Sequence, residues 1–119
     1  KNFPFWENYF IFISLRLQLL SKVKLPMRIF SKRTLVEYGA KEPNSLQQLL
    51  SWYKIVSAST FKSPNEVINL FKTADIIGNG IVVFNIGGNN YRLVAKFNYE
   101  FQSVYIIFVG THTEYDKLR

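Results

Sequence analysis

Between residues 27 and 119 the pattern of apolar and polar positions changes period once. Apolar side chains recur every three or four residues as far as about residue 71, and beyond residue 75 they alternate or run together. The first spacing suits helices with one buried face and the second suits strands, so helices precede a sheet. Met27 to Phe30 reads as a short opening strand. Ser31 is expected to cap a helix running to about Lys41, its hydroxyl accepting an otherwise unpaired backbone N–H. Pro43 should end that helix. Asn44 or Ser45 then starts a second one to about Ser57, with Leu46, Leu49, Leu50, Tyr53 and Val56 on one face. The two helices should pair antiparallel. Ser63-Pro64-Asn65-Glu66 has the form of a capping box with Pro at the first helical position, which predicts a third helix over about 64–71.

The later segments are Ile81 to Ile86, Tyr91 to Tyr99 and Val104 to Val109, separated by Gly87-Gly88-Asn89-Asn90 and Glu100 to Ser103, and they read as an antiparallel meander. Asn79-Gly80 is the dipeptide of a two-residue hairpin turn and adds a short strand over Asp75 to Ile77. A strand, then helices, then an antiparallel sheet with the helices on one face is an α+β architecture.

Residues 1–26 follow no such period. Phe3, Phe5, Trp6, Tyr9, Phe10 and Phe12 crowd together ahead of Leu15, Leu17, Leu19 and Leu20. The best apolar window, Tyr9 to Leu20, is interrupted by Arg16 and falls short of the roughly 20 residues that span a bilayer. Glu7 and the lack of a small-residue cleavage site speak against a secretory signal. The expectation is therefore an extension over 1–26, non-native or poorly ordered, with Met27 as the natural start of a domain over 27–119. An interfacial anchor is the alternative, although Leu15, Leu17 and Leu19 alternate with Arg16 and Gln18 as in a strand.

Composition narrows the chemistry. With 119 residues, 48% of them hydrophobic and 17% aromatic, the chain has material for one core. It has no Cys and one His, so neither a disulfide framework nor a usual zinc constellation can be built, and no metal or cofactor is expected. The formal net charge of +7 makes nucleic acid the first partner to consider, with solubility as the plainer explanation. P-loop, G-x-S-x-G and H-E-x-x-H motifs are absent, which removes support for nucleotide phosphoryl transfer, serine hydrolysis and zinc proteolysis.

Four stretches carry a resemblance: Met27-Arg28-Ile29-Phe30-Ser31, Val82 to Asn89, Tyr91-Arg92-Leu93-Val94, and Phe108 to Lys117. In order and spacing they resemble the signature segments of HigB-type toxins of the RelE-like toxin–antitoxin superfamily, over residues 27–119. The resemblance implies a RelE-like fold and a cytoplasmic toxin that cuts mRNA on the ribosome. It also implies neutralisation by a helix-turn-helix antitoxin.

Metal-free RNA cleavage needs a base for the 2′-hydroxyl, positive charge for the phosphorane and an acid for the leaving oxygen. Strand alternation puts Arg92 and Lys96 on one face of the segment 91–99, and the Arg fork suits paired phosphate oxygens. RelE-like toxins carry a functional Arg in a context like Tyr91-Arg92-Leu93-Val94, so Arg92 is the expected phosphate ligand, against an ordinary exposed strand Arg. His112, just past the last strand, is the acid–base candidate, against a structural turn His. Tyr115 is expected to stack on a base or contact the transition state, unless it is core. Asn85 and Asn89 are candidate RNA contacts, with Asn89 and Asn90 alternatively serving the turn. Lys96 and Lys54 complete the RNA-binding set. Arg28, Lys32, Arg33, Lys62 and Lys72 join Lys54 as candidate anchors to ribosomal RNA, or as a solvated face. The uncharged stretch Phe84-Asn85-Ile86 departs from relatives that carry Lys and Arg there. A non-catalytic basic RNA-binding or protein-interaction module is the competing function.

Overall fold

The computed structural model describes residues 25–118. The expected extension over 1–26, with its alternating leucines, lies almost wholly outside the described residues. Strand β1 (Arg28–Phe30) is followed by helices α1 (Lys32–Lys41), α2 (Pro43–Ser57) and α3 (Pro64–Leu70). Then come β2 (Asp75–Gly78), β3 (Ile81–Ile86), β4 (Tyr91–Asn98), β5 (Ser103–Thr111) and the short helix α4 (His112–Asp116). The strands form one sheet in the order β1-β5-β4-β3-β2. The architecture is the expected α+β one.

The meander β2 to β5 is antiparallel as expected, but β1 pairs in parallel with β5, Arg28 against Ser103 and Phe30 against Tyr105. The sheet is therefore mixed. A parallel neighbour needs a long connection between the paired strands, and here the whole helical layer and the meander supply it. Asn79 and Gly80 both adopt positive φ, 55° and 79°, the conformation of the primed hairpin turn that joins β2 to β3.

Three helix starts differ from expectation. Ser31 and Ser63 occupy N-cap positions in extended backbone, yet neither side chain makes a capping hydrogen bond. Glu66 instead accepts from Lys62 N–H at 3.2 Å, one residue outside the box. Pro43 opens α2 rather than closing α1, because its fixed φ and missing N–H suit a first helical turn.

One face of the sheet is dry. Val82, Phe84 and Ile86 of β3, Leu93, Ala95 and Phe97 of β4, and Val104 of β5 are buried there against Leu35, Leu49, Trp52, Val56 and Val67. Phe84 sits at the centre, with ring contacts to Phe71 at 5.0 Å, Trp52 at 5.3 Å and Phe97 at 6.0 Å. Trp52 was missing from the expected apolar stripe of α2, although it lies three residues after Leu49 and four before Val56. Among the described residues the opposite face carries no helical layer, and only α4 folds toward it from the end of β5.

Candidate functional site

On that opposite face a cleft of about 710 Å³ is lined by Asp75, Ile76 and Ile77 of β2, Val83 and Asn85 of β3, Arg92 of β4, and His112, Tyr115 and Asp116 of α4, with Leu118 beyond. Register explains why. Arg92 pairs directly with Asn85 on one side and Gly110 on the other, so their side-chain positions share a face and lie close. Gly110 has no room for a Cβ, which would run into the Phe108 ring and come within 3.2 Å of Glu114 Oε1. The absence of a side chain there lets α4 close down beside Arg92.

Arg92 is not an ordinary exposed strand residue, being only 9% exposed. Its guanidinium donates to Asn89 O at 3.3 Å, Tyr91 O at 3.1 Å and Asn89 Oδ1 at 2.8 Å, bonds that do not engage Nε. Among the described residues no carboxylate lies within ion-pair distance of it. A cation withdrawn from water and offset only by carbonyl dipoles is favourably completed by an anion.

The turn Gly87-Gly88-Asn89-Asn90 holds both candidate groups. Gly87 and Gly88 take positive φ, 60° and 70°, so the glycines rather than the asparagines supply the unusual backbone. That frees Asn89 to hold Arg92, while Asn90 O accepts His112 N–H at 2.9 Å. His112 opens α4, whose start is a complete capping box. Glu114 N–H donates to Thr111 Oγ1 at 3.1 Å and Thr111 N–H to Glu114 Oε1 at 2.8 Å. The Thr111 bonds, backbone first, hold the Glu114 carboxyl below its ordinary range.

His112 Nδ1 lies 3.5 Å from Asp116 Oδ2 one turn along α4. The nitrogen is buried and has no hydrogen-bond partner among the described residues. The imidazole as a whole stays about half exposed. Tyr115 lies on the same wall, its ring 6.4 Å from that of Phe108. Behind α4, the Tyr38 hydroxyl is pushed up to about 12 by burial first and by nearby Glu114 second, which removes it from proton transfer near neutrality.

Of the residues expected from the sequence, Arg92, His112, Tyr115 and Asn85 meet in this cleft. Asn85 Nδ2 donates to Thr73 O at 3.2 Å. Asn89 stands behind Arg92 as its support. Lys96 shares the face of Arg92, as alternation required, but lies outside the cleft opposite Tyr105. Lys54 is on α2, on the helical side of the molecule. Among the other cations, Arg33 pairs with Glu37 at 2.7 Å and Lys32 lies over the Tyr53 ring. The sequence reading missed Asp75 and Asp116, the two carboxylates on the cleft walls. Asp116 could have been found four residues after His112, one helical turn away. No group of three His, Cys, Asp or Glu side chains among the described residues is placed to hold a metal ion, and no described helix is long and apolar enough to cross a membrane.

The fold and cleft define a small α+β domain whose site, on the sheet face away from the helices, combines a largely buried guanidinium, an imidazole and two carboxylates. Residues 45–118 match the model of a family described as HigB toxin, RelE-like toxic component of a toxin–antitoxin system. The chain is 33% identical over 94 residues to the mRNA interferase HigB of Escherichia coli O6:H1 strain CFT073, covering 77% of this chain and 91% of that one. It is 32% identical over 92 residues to the mRNA interferase toxin HigB of Escherichia coli K12, covering 76% and 88%. The mRNA interferase HigB of Shigella flexneri matches to the same extent. The chain belongs to the HigB family of RelE-like toxins.

Proposed function

We propose that this protein is a toxin that stops translation by cutting mRNA in the cleft of Arg92 and His112, acting on ribosome-bound message in the cytoplasm. The observation that carries the reading is a largely buried guanidinium that has no carboxylate partner among the described residues and shares one cleft with an imidazole. An RNA phosphodiester supplies the missing anion and carries its own nucleophile. The 2′-oxygen forms a bond to phosphorus as the bond to the 5′-oxygen breaks, leaving a 2′,3′-cyclic phosphate and a 5′-hydroxyl. One proton leaves the 2′-hydroxyl and one reaches the 5′-oxygen, so the balance closes without any other reactant. Arg92 offsets the charge that builds on the phosphoryl oxygens. His112, with Asp116 beside Nδ1, carries one proton transfer, and Asp75 on the far wall carries the other. Tyr115 contacts the base or the reacting phosphate, and Asn85 the neighbouring nucleotide.

The family's toxin–antitoxin character, with the resemblance described above, supports a helix-turn-helix antitoxin as the neutralising partner. Lys54 and the other helix-side cations are assigned to ribosomal RNA rather than to the cleft. The test is induced expression with and without His112→Ala and Arg92→Ala. Both variants should stay folded and lose growth arrest, and RNA from cells making the unaltered protein should carry new 5′-hydroxyl ends. Full toxicity of both variants overturns the site, and intact mRNA during growth arrest overturns the activity.

A further inference from the structure

The uncovered face of the sheet does not end at the cleft. In β5, Phe108 pairs with Val94 while Ile106 pairs with Ala95, so Ile107 is an extra, bulged residue. The bulge brings Tyr105 onto the same face as Phe108 and Arg92. There Tyr105 stacks on Phe30 of β1, ring centroids 5.2 Å apart and planes within 14°. Both rings lie open, Phe30 at 45% and Tyr105 at 48% exposure. An aromatic pair left in water on a sheet face is costly unless something covers it.

Its surroundings select the occupant. Lys96 is directly opposite Tyr105, and Arg28 is two residues before Phe30, both exposed. The remaining positions of β1, β4 and β5 on this face are Arg92, Val94 and Asn98, and Ser103, Phe108 and Gly110, with no carboxylate among them. Aromatic faces with flanking cations and no anions are what single-stranded nucleic acid needs, bases stacking on rings while phosphates meet Lys and Arg. Lys96 is four residues along β4 from Arg92, ~13 Å at the usual strand rise. About four stacked nucleotides, at ~3.4 Å each, cover that distance.

We infer that Phe30 and Tyr105, flanked by Arg28 and Lys96, form a base-stacking platform that holds single-stranded RNA a few nucleotides from the phosphate bound at Arg92. This rests on the RNA-cleaving reading of the cleft and extends it to how the strand is held. The platform treats bases by their faces, so it adds affinity and direction with little sequence preference.

The probe is an eight-nucleotide RNA methylated at every 2′-oxygen, which cannot be cut, titrated onto the full chain. The unaltered protein should bind it with upfield shifts of the Phe30 and Tyr105 ring protons. The double variant Phe30→Ala/Tyr105→Ala should bind about tenfold more weakly with an unchanged Tm. Tyr105→Phe should retain the affinity, whereas Tyr105→Leu, equally apolar, should lose it. Absence of binding by the unaltered protein, an unchanged affinity in the double variant, or full binding by Tyr105→Leu overturns the platform. The last result would make the patch a protein-docking surface. Cleavage of unmethylated mRNA in a translating extract, measured in parallel, separates the two ideas. Ring-dependent binding without any cleavage sinks the nuclease reading alone, and cleavage with ring-independent binding sinks the platform alone.

Discussion

The two faces of this sheet are built from the same strands and obey different rules. On the face under α1, α2 and α3, Leu93, Ala95 and Val104 are fully buried within a hydrophobic cluster. On the other, Arg92 is almost as buried, yet what surrounds it is carbonyl oxygen, a carboxamide, an imidazole and the walls of a cleft. Arg92 and Leu93 are adjacent in sequence and point in opposite directions, so one strand serves stability on odd positions and chemistry on even ones. Stability and activity should therefore be separable by substitutions one residue apart.

The sharpest break in that contrast is His112→Ala. Cleavage should fall by about 10²–10⁴-fold with little change in Tm, as expected for loss of a proton-transfer group. Phe84→Ala should do the reverse. It should cost about 3–5 kcal/mol in denaturant unfolding because Phe84 contacts three other rings, while cleavage per folded molecule is retained. A large activity loss in folded Phe84→Ala would show that the faces are coupled.

Asn89→Ala sharpens the comparison at the support level. The guanidinium loses its 2.8 Å bond, and kcat should drop roughly tenfold with Tm nearly unchanged, because misplacement rather than removal of the charge is at stake. Thr111→Ala removes the cap under His112 and should cost about 1 kcal/mol. The same box gives a pH dependence. The folded-state pKa of Glu114 is depressed below its ordinary 4.5. Its contribution is then present above about pH 4.5 and lost as pH falls through the lower folded value, which amide exchange in α4 would follow. Lys54→Ala should have the smallest effect. The cutting step on message already bound at the ribosome should not change, and the salt slope of ribosome binding should fall by about one.

Much of the fold was legible because its signals are local. The Asn79-Gly80 turn, the helical stripe through Leu49 and Val56 and the alternation of β4 each depend on a few neighbouring residues. The capping boxes show where locality fails. Ser63 and Glu66 have the right spacing, but the backbone there sends Glu66 to Lys62, whereas Thr111 and Glu114 close a complete box. In the site, Arg92 could be chosen from strand alternation and His112 from its place after the last strand, with the family resemblance to weight them. Asp75 could not be, because it enters the cleft from a strand two places away in the sheet.

Residue types and their spacing determined the order of the elements, the apolar face of each and the supply of one imidazole and a few cations. Contact between distant segments decided the rest. Packing put α1, α2 and α3 on one side of the sheet, and the β1–β5 pair set Phe30 on Tyr105. The Gly87-Gly88 turn swung Asn89 and Asn90 back to hold Arg92 and His112. Periodicity along a chain specifies which way a side chain points, and only the closed sheet specifies what it meets there.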